Sequence, residues 1–240
     1  MDITAVKQTA LVNDDLLAMV SHELKTPLST IKLYVQMVQN IAKKSNNLPA
    51  ADLLKKADRQ VNEMILILDN MLDMSLITAG AKKLQTKCFD MGALISEVIA
   101  GFGTGAEKHI IKVKKGEVQL VYADRGKIKQ AIHNLLSNAI KYSPEKSAIN
   151  ICSELEINHI TVSVQDSGMG ISPDDQHKLF SRYYRAESDE VKSKKGSGIG
   201  LYLVKEIVRL HRGKVWVESS PGSGAVFRFS IPLNDQEGHF

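Results

Sequence analysis

Ser-His-Glu-Leu-Lys-Thr-Pro-Leu, residues 21–28, sets a histidine beside a carboxylate and a proline inside a stretch that its flanks mark as a long helix. Histidine is a nucleophile at neutral pH, and a neighbouring carboxylate can orient its imidazole. Leu17, Leu24, Ile31 and Val38 recur every seven residues, and Val20, Pro27, Tyr34 and Ile41 follow three residues later. This is an a/d heptad seam. In its register His22 falls at f, the position farthest from the seam, and Thr26 lies one turn on along the same face. Pro27 lacks an N–H and crowds the carbonyl of Glu23, so the helix is expected to bend beside the histidine. An exposed histidine taken alone is an ordinary surface residue. A mid-helix proline, which costs ~3 kcal/mol, is harder to assign to surface decoration.

Lys43-Lys44-Ser45-Asn46-Asn47-Leu48-Pro49 interrupts the pattern and has the composition of a turn. A second series follows, with Leu54, Val61, Leu68 and Ser75 at one position and Ala57, Met64, Met71 and Thr78 at the other. It stops at Ala79-Gly80. Two long helices and a short loop make an antiparallel hairpin. One hairpin cannot bury both seams, whereas two related by a two-fold axis form a four-helix bundle, so a homodimer through residues 10–80 is expected. The alternative is a hairpin packed only on its own C-terminal domain.

The composition, 43% hydrophobic and 24% charged, is that of a soluble globular protein. The net charge of +4 is too small to argue for nucleic acid. Its basic excess lies after residue 80, with 23 Lys/Arg against 18 Asp/Glu, which suits a small polyanionic ligand as well as simple solubility. Cys88 and Cys152 form no Cys-x-x-Cys pair, so a disulfide framework or zinc site is not expected and a reducing, cytoplasmic compartment fits. No apolar run approaches the ~20 residues of a membrane span. The N-terminus has no signal-peptide core. Any membrane contact would come through segments absent from this chain.

After Gly80 the pattern becomes α/β. Residues 84–89 read as a short strand, Asp90 as the cap of a helix through Ile99, and Gly101, Gly103 and Gly105 as its loose end. Ile110 to Val113 and Val118 to Tyr122 read as two strands with a turn at Lys115-Gly116. Asp124 is a candidate N-cap for a helix reaching Tyr142, with an apolar face of Ile128, Ala131, Ile132, Leu135, Leu136, Ala139 and Ile140. Asn134, Asn138 and Lys141 share its other side, where amide oxygens could ligate Mg²⁺ and the lysine could meet phosphate; an ordinary solvated face has the same pattern. Ile149 to Cys152 and Ile160 to Val164 are strand-like, and the second runs into Asp166-Ser-Gly-Met-Gly-Ile171. A carboxylate at a strand end can accept from an exocyclic amine while Gly168 and Gly170 let the backbone approach a ring. Residues 172–195 are polar and read as a mobile segment. It ends at Gly196-Ser-Gly-Ile-Gly-Leu201, a glycine-rich turn feeding an amphipathic helix that runs to Gly213, and hence an anion site. Neither the dinucleotide fingerprint nor a Walker A sequence is present. Lys214 to Glu218 and Ala225 to Ile231 flank Pro221-Gly222-Ser223-Gly224 and read as a hairpin.

Residues 21–28 resemble the H-box of bacterial two-component sensor histidine kinases. Asn-Leu-Leu-Ser-Asn-Ala-Ile-Lys-Tyr-Ser, 134–143, resembles their N-box, Asp166 to Gly170 and Gly196 to Leu201 their glycine boxes, and Lys178 to Arg185 their F-box. These motifs cover nearly the whole chain in family order. The resemblance implies a dimerisation and histidine phosphotransfer domain, residues 1–82, followed by an ATP-binding α/β two-layer sandwich of the GHKL (Bergerat) type, residues 83–240. It implies that His22 attacks the γ-phosphoryl of ATP with Glu23 orienting or deprotonating it. Asn138 would be a Mg²⁺ ligand, and Asn134 would help at the phosphates or metal. Lys141 and Arg185 would contact phosphates, Tyr142 would pack at the nucleotide, and Asp166 would accept from the adenine amine. Gly168 and Gly170 would complete the first glycine box, and Gly196, Gly198 and Gly200 would shape the lid end and phosphate cradle. The receiver domain of a response regulator would be the partner, and Thr26, in a His-Glu-x-x-Thr pattern, would position water for its dephosphorylation. Hydrolysing GHKL enzymes carry a glutamate where this chain has Asn134, and an amide does not usefully take a proton from water. That favours phosphotransfer over a GHKL ATPase acting on other macromolecules; a nucleotide-binding scaffold with silent phosphotransfer is the other alternative.

Overall fold

The computed structural model describes residues 3–45, 47–78, 84–102, 109–114, 118–186, 191, 194 and 198–233, with the side chains of 3–23, 59, 63, 66–67 and 71–78 outside the described set. The chain forms two compact units, Met1–Lys83 and Leu84–Phe240. No helix among the described residues is long and apolar enough to cross a membrane.

The first unit is a pair of long helices, α1 (Ile3–Lys44) and α2 (Leu48–Thr78), packed along each other. The turn between them is tighter than the composition of residues 43–49 implies. Ser45 and Asn47 still donate back to Ile41 and Ala42 (2.9 and 2.8 Å). The Asn47 side chain accepts from the N–H of Ala50 at 3.3 Å and so caps α2. Pro49 then falls in the first helical turn, where an N–H has no partner to lose. Pro27 lies within α1, which continues through it. The stop expected at Ala79-Gly80 lies outside the described residues.

The stripe of α1 that meets α2 is not the heptad seam. Leu28 and Ala42 are buried and Lys25, Lys32, Val35 and Gln39 half-buried, which are positions e and b of the register. The seam residues Leu24, Ile31, Tyr34, Val38 and Ile41 stand between 46% and 63% exposed. A hairpin contact needs one stripe per helix, so a second apolar stripe remains open in the protomer. The interhelical contact also carries polar pairs. Lys25 Nζ lies 2.5 Å from Asp69 Oδ1, and Asp58 accepts from Gln36 and Asn62, each at 3.1 Å.

The second unit is an α/β layer pair. A five-stranded sheet has the order β2-β4-β5-β7-β6, from β2 (Ile110–Lys114), β4 (Ala148–Leu155), β5 (His159–Asp166), β6 (Lys214–Ser219) and β7 (Ala225–Pro232). β2 and β4 are parallel; the other pairs are antiparallel. A separate ribbon joins β1 (Lys87–Asp90) to β3 (Leu120–Ala123). The strands read on either side of Lys115-Gly116 therefore do not pair with each other, because each finds a longer-range partner. Helices α3 (Met91–Gly101), α4 (Arg125–Tyr142) and α6 (Gly200–Leu210) pack together and with the sheet.

The core lies between these layers. Alternation in β7 sends Phe227, Phe229 and Ile231 inward, level with Ile160, Val162 and Val164 of β5 and Ile149 and Ile151 of β4. Against them stand Ile128, Ile132, Leu135 and Leu136 of α4 and Leu203, Val204 and Ile207 of α6, all fully buried. At ~1.5–3 kcal/mol for each large side chain, this core holds α4 rigidly against β5. Asp90 caps α3 by accepting from Gly92 and Ala93, and Asp124 caps α4 by accepting from Lys127. Of the loose glycine end, Gly101 closes α3, whereas Gly103 and Gly105 lie outside the described residues.

The stretch 172–195 is more ordered at its start than its polarity implies. Ser172 caps a short helix, α5 (Pro173–Gln176), and Pro173 stands in its first turn. Gln176 donates to the carbonyls of Ile171 (3.0 Å) and Ser219 (2.9 Å), and Tyr184 Oη lies 2.5 Å from Asp175 Oδ1.

Candidate nucleotide site

Asp166 ends β5, directly across from Ala225 at the start of β7. Its buried carboxylate accepts from Gly168 N at 2.8 Å and Ala225 N at 3.2 Å, both on Oδ1. Oδ2 has no hydrogen bond among the described residues and is left to accept from a ligand. Burial pushes the Asp166 carboxyl above its ordinary value, and the two backbone N–H groups oppose that shift. A Cβ on Gly168 would stand 2.9 Å from both Asp166 Oδ1 and the Tyr142 carbonyl oxygen. Gly170, at φ +74°, lies against Ser220, whose carbonyl oxygen would be 2.0 Å from a Cβ. The turn after β5 is thus wedged between the end of α4 and the β6–β7 turn, and glycine is what makes the fit possible.

α4 carries the other polar groups away from that turn. Asn138, Lys141 and Tyr142 are half-buried, with Lys141 Nζ 4.8 Å from the centre of the Tyr142 ring. Asn134 is 7% exposed, and its Nδ2 has no hydrogen-bond partner. Such a buried donor costs ~1–3 kcal/mol unless a ligand completes it. Its amide faces the first residue of α6, with Oδ1 3.5 Å from where a Cβ of Gly200 would be. The residue before that helix, Ile199, supplies no side-chain cap, and a helix N-terminus favours an anion. Asn134 and Tyr142 are eight residues apart, about 12 Å along the helix axis. One end of the site therefore offers amide and helix-terminal donors, and the other a carboxylate acceptor.

Gly198, at φ +71°, presses on Tyr183, whose backbone carbon would lie 2.7 Å from a Cβ and whose N–H donates to the Gly198 carbonyl at 3.1 Å. Arg185 points its guanidinium at the carbonyls of Val191 and Lys194, each at 2.5 Å, and not at open solvent. Gly196 lies outside the described residues. In the first unit, Thr26 is exposed on α1, whereas the side chains of His22 and Glu23 are outside the described set and only their place in the helix is known.

Two features escape a reading of spacing alone. Ser143, the C-cap of α4, is buried beside the Asp166 turn's Tyr142 contact, and its Oγ has no partner. The Ser172–Pro173 start of α5 anchors the segment leading to Tyr183 and Arg185; a serine cap, a first-turn proline and Asp174-Asp175 were the available signals. Among the described residues no group of three or more histidine, cysteine and carboxylate ligands is present.

Residues 123–235 match the family described as histidine kinase-, DNA gyrase B- and HSP90-like ATPase, and residues 12–80 match the His Kinase A (phospho-acceptor) domain. The chain is 29% identical over 242 residues to the sensor histidine kinase WalK of Bacillus subtilis, covering 98% of this chain and 39% of that one. It is 32% identical over 234 residues to the adaptive-response sensory kinase SasA of Trichormus variabilis, with 92% and 57% covered. It thus spans 39% and 57% of the length of these two relatives. The catalytic domain of histidine kinase ThkA is 32% identical with a TM-score of 0.54, covering 62% of this chain and 99% of that one. Full-length ShkA, solved in complex with AMPPNP, shares the fold at a TM-score of 0.71 and 22% identity, covering 91% and 46%. Motif order, a helical pair followed by the α/β layers, and these likenesses agree: the chain belongs to the sensor histidine kinases.

Proposed function

We propose that this chain is the catalytic core of a two-component sensor histidine kinase. It binds ATP with Mg²⁺, phosphorylates its own His22 and passes the phosphoryl group to an aspartate of a response regulator. Residues 1–82 serve dimerisation and phosphotransfer, and residues 83–240 bind nucleotide. The observation that carries the reading is the pairing of two unsatisfied ends: the orphaned Asn134 amide at the uncapped start of α6, and the free Asp166 oxygen at the far end of α4. A nucleotide has matching ends, an anionic phosphate chain and an amine-bearing base.

In this reading Asp166 Oδ2 accepts from the adenine amine, with Gly168 and Gly170 keeping side chains out of the ring's path and Tyr142 packing at the base. Asn134, the α6 N–H groups and Gly198 and Gly200 meet the phosphates. Lys141 and Arg185 add positive charge, for which Arg185 must leave the carbonyls of Val191 and Lys194. Gly196 completes the cradle. Asn138 holds Mg²⁺ through its amide oxygen, and the ion would supply charge neutralisation on the phosphates. Glu23 orients the His22 imidazole or takes its proton, and the ring nitrogen attacks in line as the bond to the leaving ADP oxygen breaks. Positioning and charge neutralisation carry most of such a transfer. With Asn134 in place of a general-base glutamate, water is not activated beside the γ-phosphoryl. Thr26, exposed one turn after His22, positions water when the same surface meets the phosphorylated regulator.

Incubation with γ-labelled ATP tests this. The wild-type chain is expected to take up an acid-labile label that His22→Gln abolishes, and Thr26→Ala is expected to slow regulator dephosphorylation while leaving the labelling intact. ATP turnover without label would favour the ATPase alternative, and binding alone the silent scaffold.

A further inference from the structure

Asp124 is joined to more separate segments than its role as a helix cap requires. Its Oδ1 accepts from Lys127 N at 3.1 Å and caps α4, and its carbonyl accepts from Ile128 N at 2.9 Å. Its own N–H donates to Nε2 of His211, at the end of α6, at 3.0 Å. Its Oδ2 accepts from the N–H of Gln85 at 3.0 Å, thirty-nine residues back along the chain. Gln85 belongs to the first stretch of the second unit, which begins at Leu84.

The register explains why a side chain makes this last bond. β1 and β3 pair antiparallel with Lys87 opposite Ala123, and there the ladder stops, because β3 gives way to α4 at Asp124. No strand carbonyl remains for Gln85, and the Asp124 carboxylate replaces it. The incoming chain is therefore held from Gln85 onward, not from Lys87. Two further residues under restraint remove about 7 Å of reach from the segment that links the helical pair to the nucleotide-binding unit. The anchor is the N-terminus of α4, the helix that bears Asn134 and Asn138.

From this geometry we infer that Asp124 is a positioning residue for phosphotransfer: through Gln85 it ties the segment joining the two units to the helix that holds the nucleotide. The inference rests on the kinase reading above, since it matters only if a phosphoryl group must travel from the second unit to His22. A shorter, fixed tether raises the effective concentration of one unit at the other and narrows its orientations. Binding of nucleotide within the second unit does not depend on it.

The test uses the full chain and three variants. Gln85→Pro removes the donor and leaves Asp124 untouched, at a strand entrance where proline is tolerated. Asp124→Asn keeps a good N-cap but has one acceptor where two are needed. Gln85→Ala retains the N–H and is the conservative control. Dissociation constants for a fluorescent ATP analogue and initial labelling rates at saturating γ-labelled ATP are measured for each. In Gln85→Pro and Asp124→Asn the labelling rate is expected to fall about threefold to tenfold with the analogue's affinity changed less than about twofold. Gln85→Ala is expected to match the wild type in both. Equal labelling rates in all four proteins would overturn the inference, and a weakened affinity beside those equal rates would make Asp124 a cap and nothing more. A wild-type chain that binds the analogue and takes up no label would instead overturn the kinase reading, and the positioning role with it.

Discussion

Asn134 shows how a residue can be set for a ligand at the expense of the fold. Its Nδ2 is buried without a partner, next to leucine and isoleucine side chains that are fully buried on the same helix. Replacing an unsatisfied buried amide with an apolar group of similar size removes a desolvation cost of ~1–3 kcal/mol. Asn134→Leu is therefore expected to raise the nucleotide-free protein's stability toward urea while weakening ATP binding at least about tenfold, an opposition of sign common to functional sites. Chemical denaturation and nucleotide titration of one preparation check both; a variant that lost stability and kept its affinity would show that the amide serves packing alone. Asp166 makes the contrasting case, because its carboxylate is partly satisfied by Gly168 and Ala225 and keeps one oxygen in reserve.

At the scale of elements, the nucleotide site depends on how the start of α4 is held. At its start, Glu97 of α3 bridges Arg125 and Lys129, and these bonds hold the Glu97 carboxyl down to about 2. There too His211 ties in α6: its Nδ1 lies 2.7 Å from the Ile207 carbonyl, and its Nε2 accepts from Asp124 N. A carbonyl cannot donate, so the ring is neutral with its proton on Nδ1. Burial lowers its pKa below the ordinary 6.5, against smaller opposing effects of the Ile207 bond and the Asp124 charge. The unfolded chain thus takes up this proton at higher pH than the folded one. The stability from neutral His211 is present in full above the unfolded pKa and is lost as pH falls from there through the lower folded value. The melting temperature is expected to drop between about pH 7 and about pH 5 by more in the wild type than in His211→Gln. Parallel melting curves against pH in the two proteins would remove His211 from the account.

At the scale of the molecule, the open seam on the helical pair is the feature that a single chain leaves unresolved. Ile31, Val38 and Ile41 are 47%, 49% and 63% exposed, yet their spacing is that of a core. A second copy with the same stripe would cover it by two-fold pairing, as the His Kinase A match leads one to expect. Full burial of such a side chain from full exposure is worth ~1.5–3 kcal/mol, and about half of that remains to be gained at each of these positions. Ile31→Glu together with Val38→Glu is expected to convert a dimer at micromolar concentration to a monomer, measured by sedimentation equilibrium, without loss of nucleotide binding. A wild-type chain that sediments as a monomer would leave the stripe to another partner.

The sequence by itself determined the elements and the motif order. Heptad spacing, the Asp90 and Asp124 caps, the glycine-bearing turns and the apolar face of α4 are local properties, written in side chains three to seven residues apart. The five motifs at residues 21–28, 134–143, 166–170, 178–185 and 196–201, in that order, carry the resemblance to the histidine kinase family. What it did not contain was the choice of partners. β2 pairs with β4 and not with its neighbour β3, and α1 meets α2 through positions b and e while its a/d seam stays open. Neither the free oxygen of Asp166, nor the orphaned amide of Asn134, nor the reach of Asp124 to Gln85 and His211 has a signature in spacing. These depend on which groups remain unsatisfied after long-range packing has used the rest, and that is decided only when the whole chain has folded.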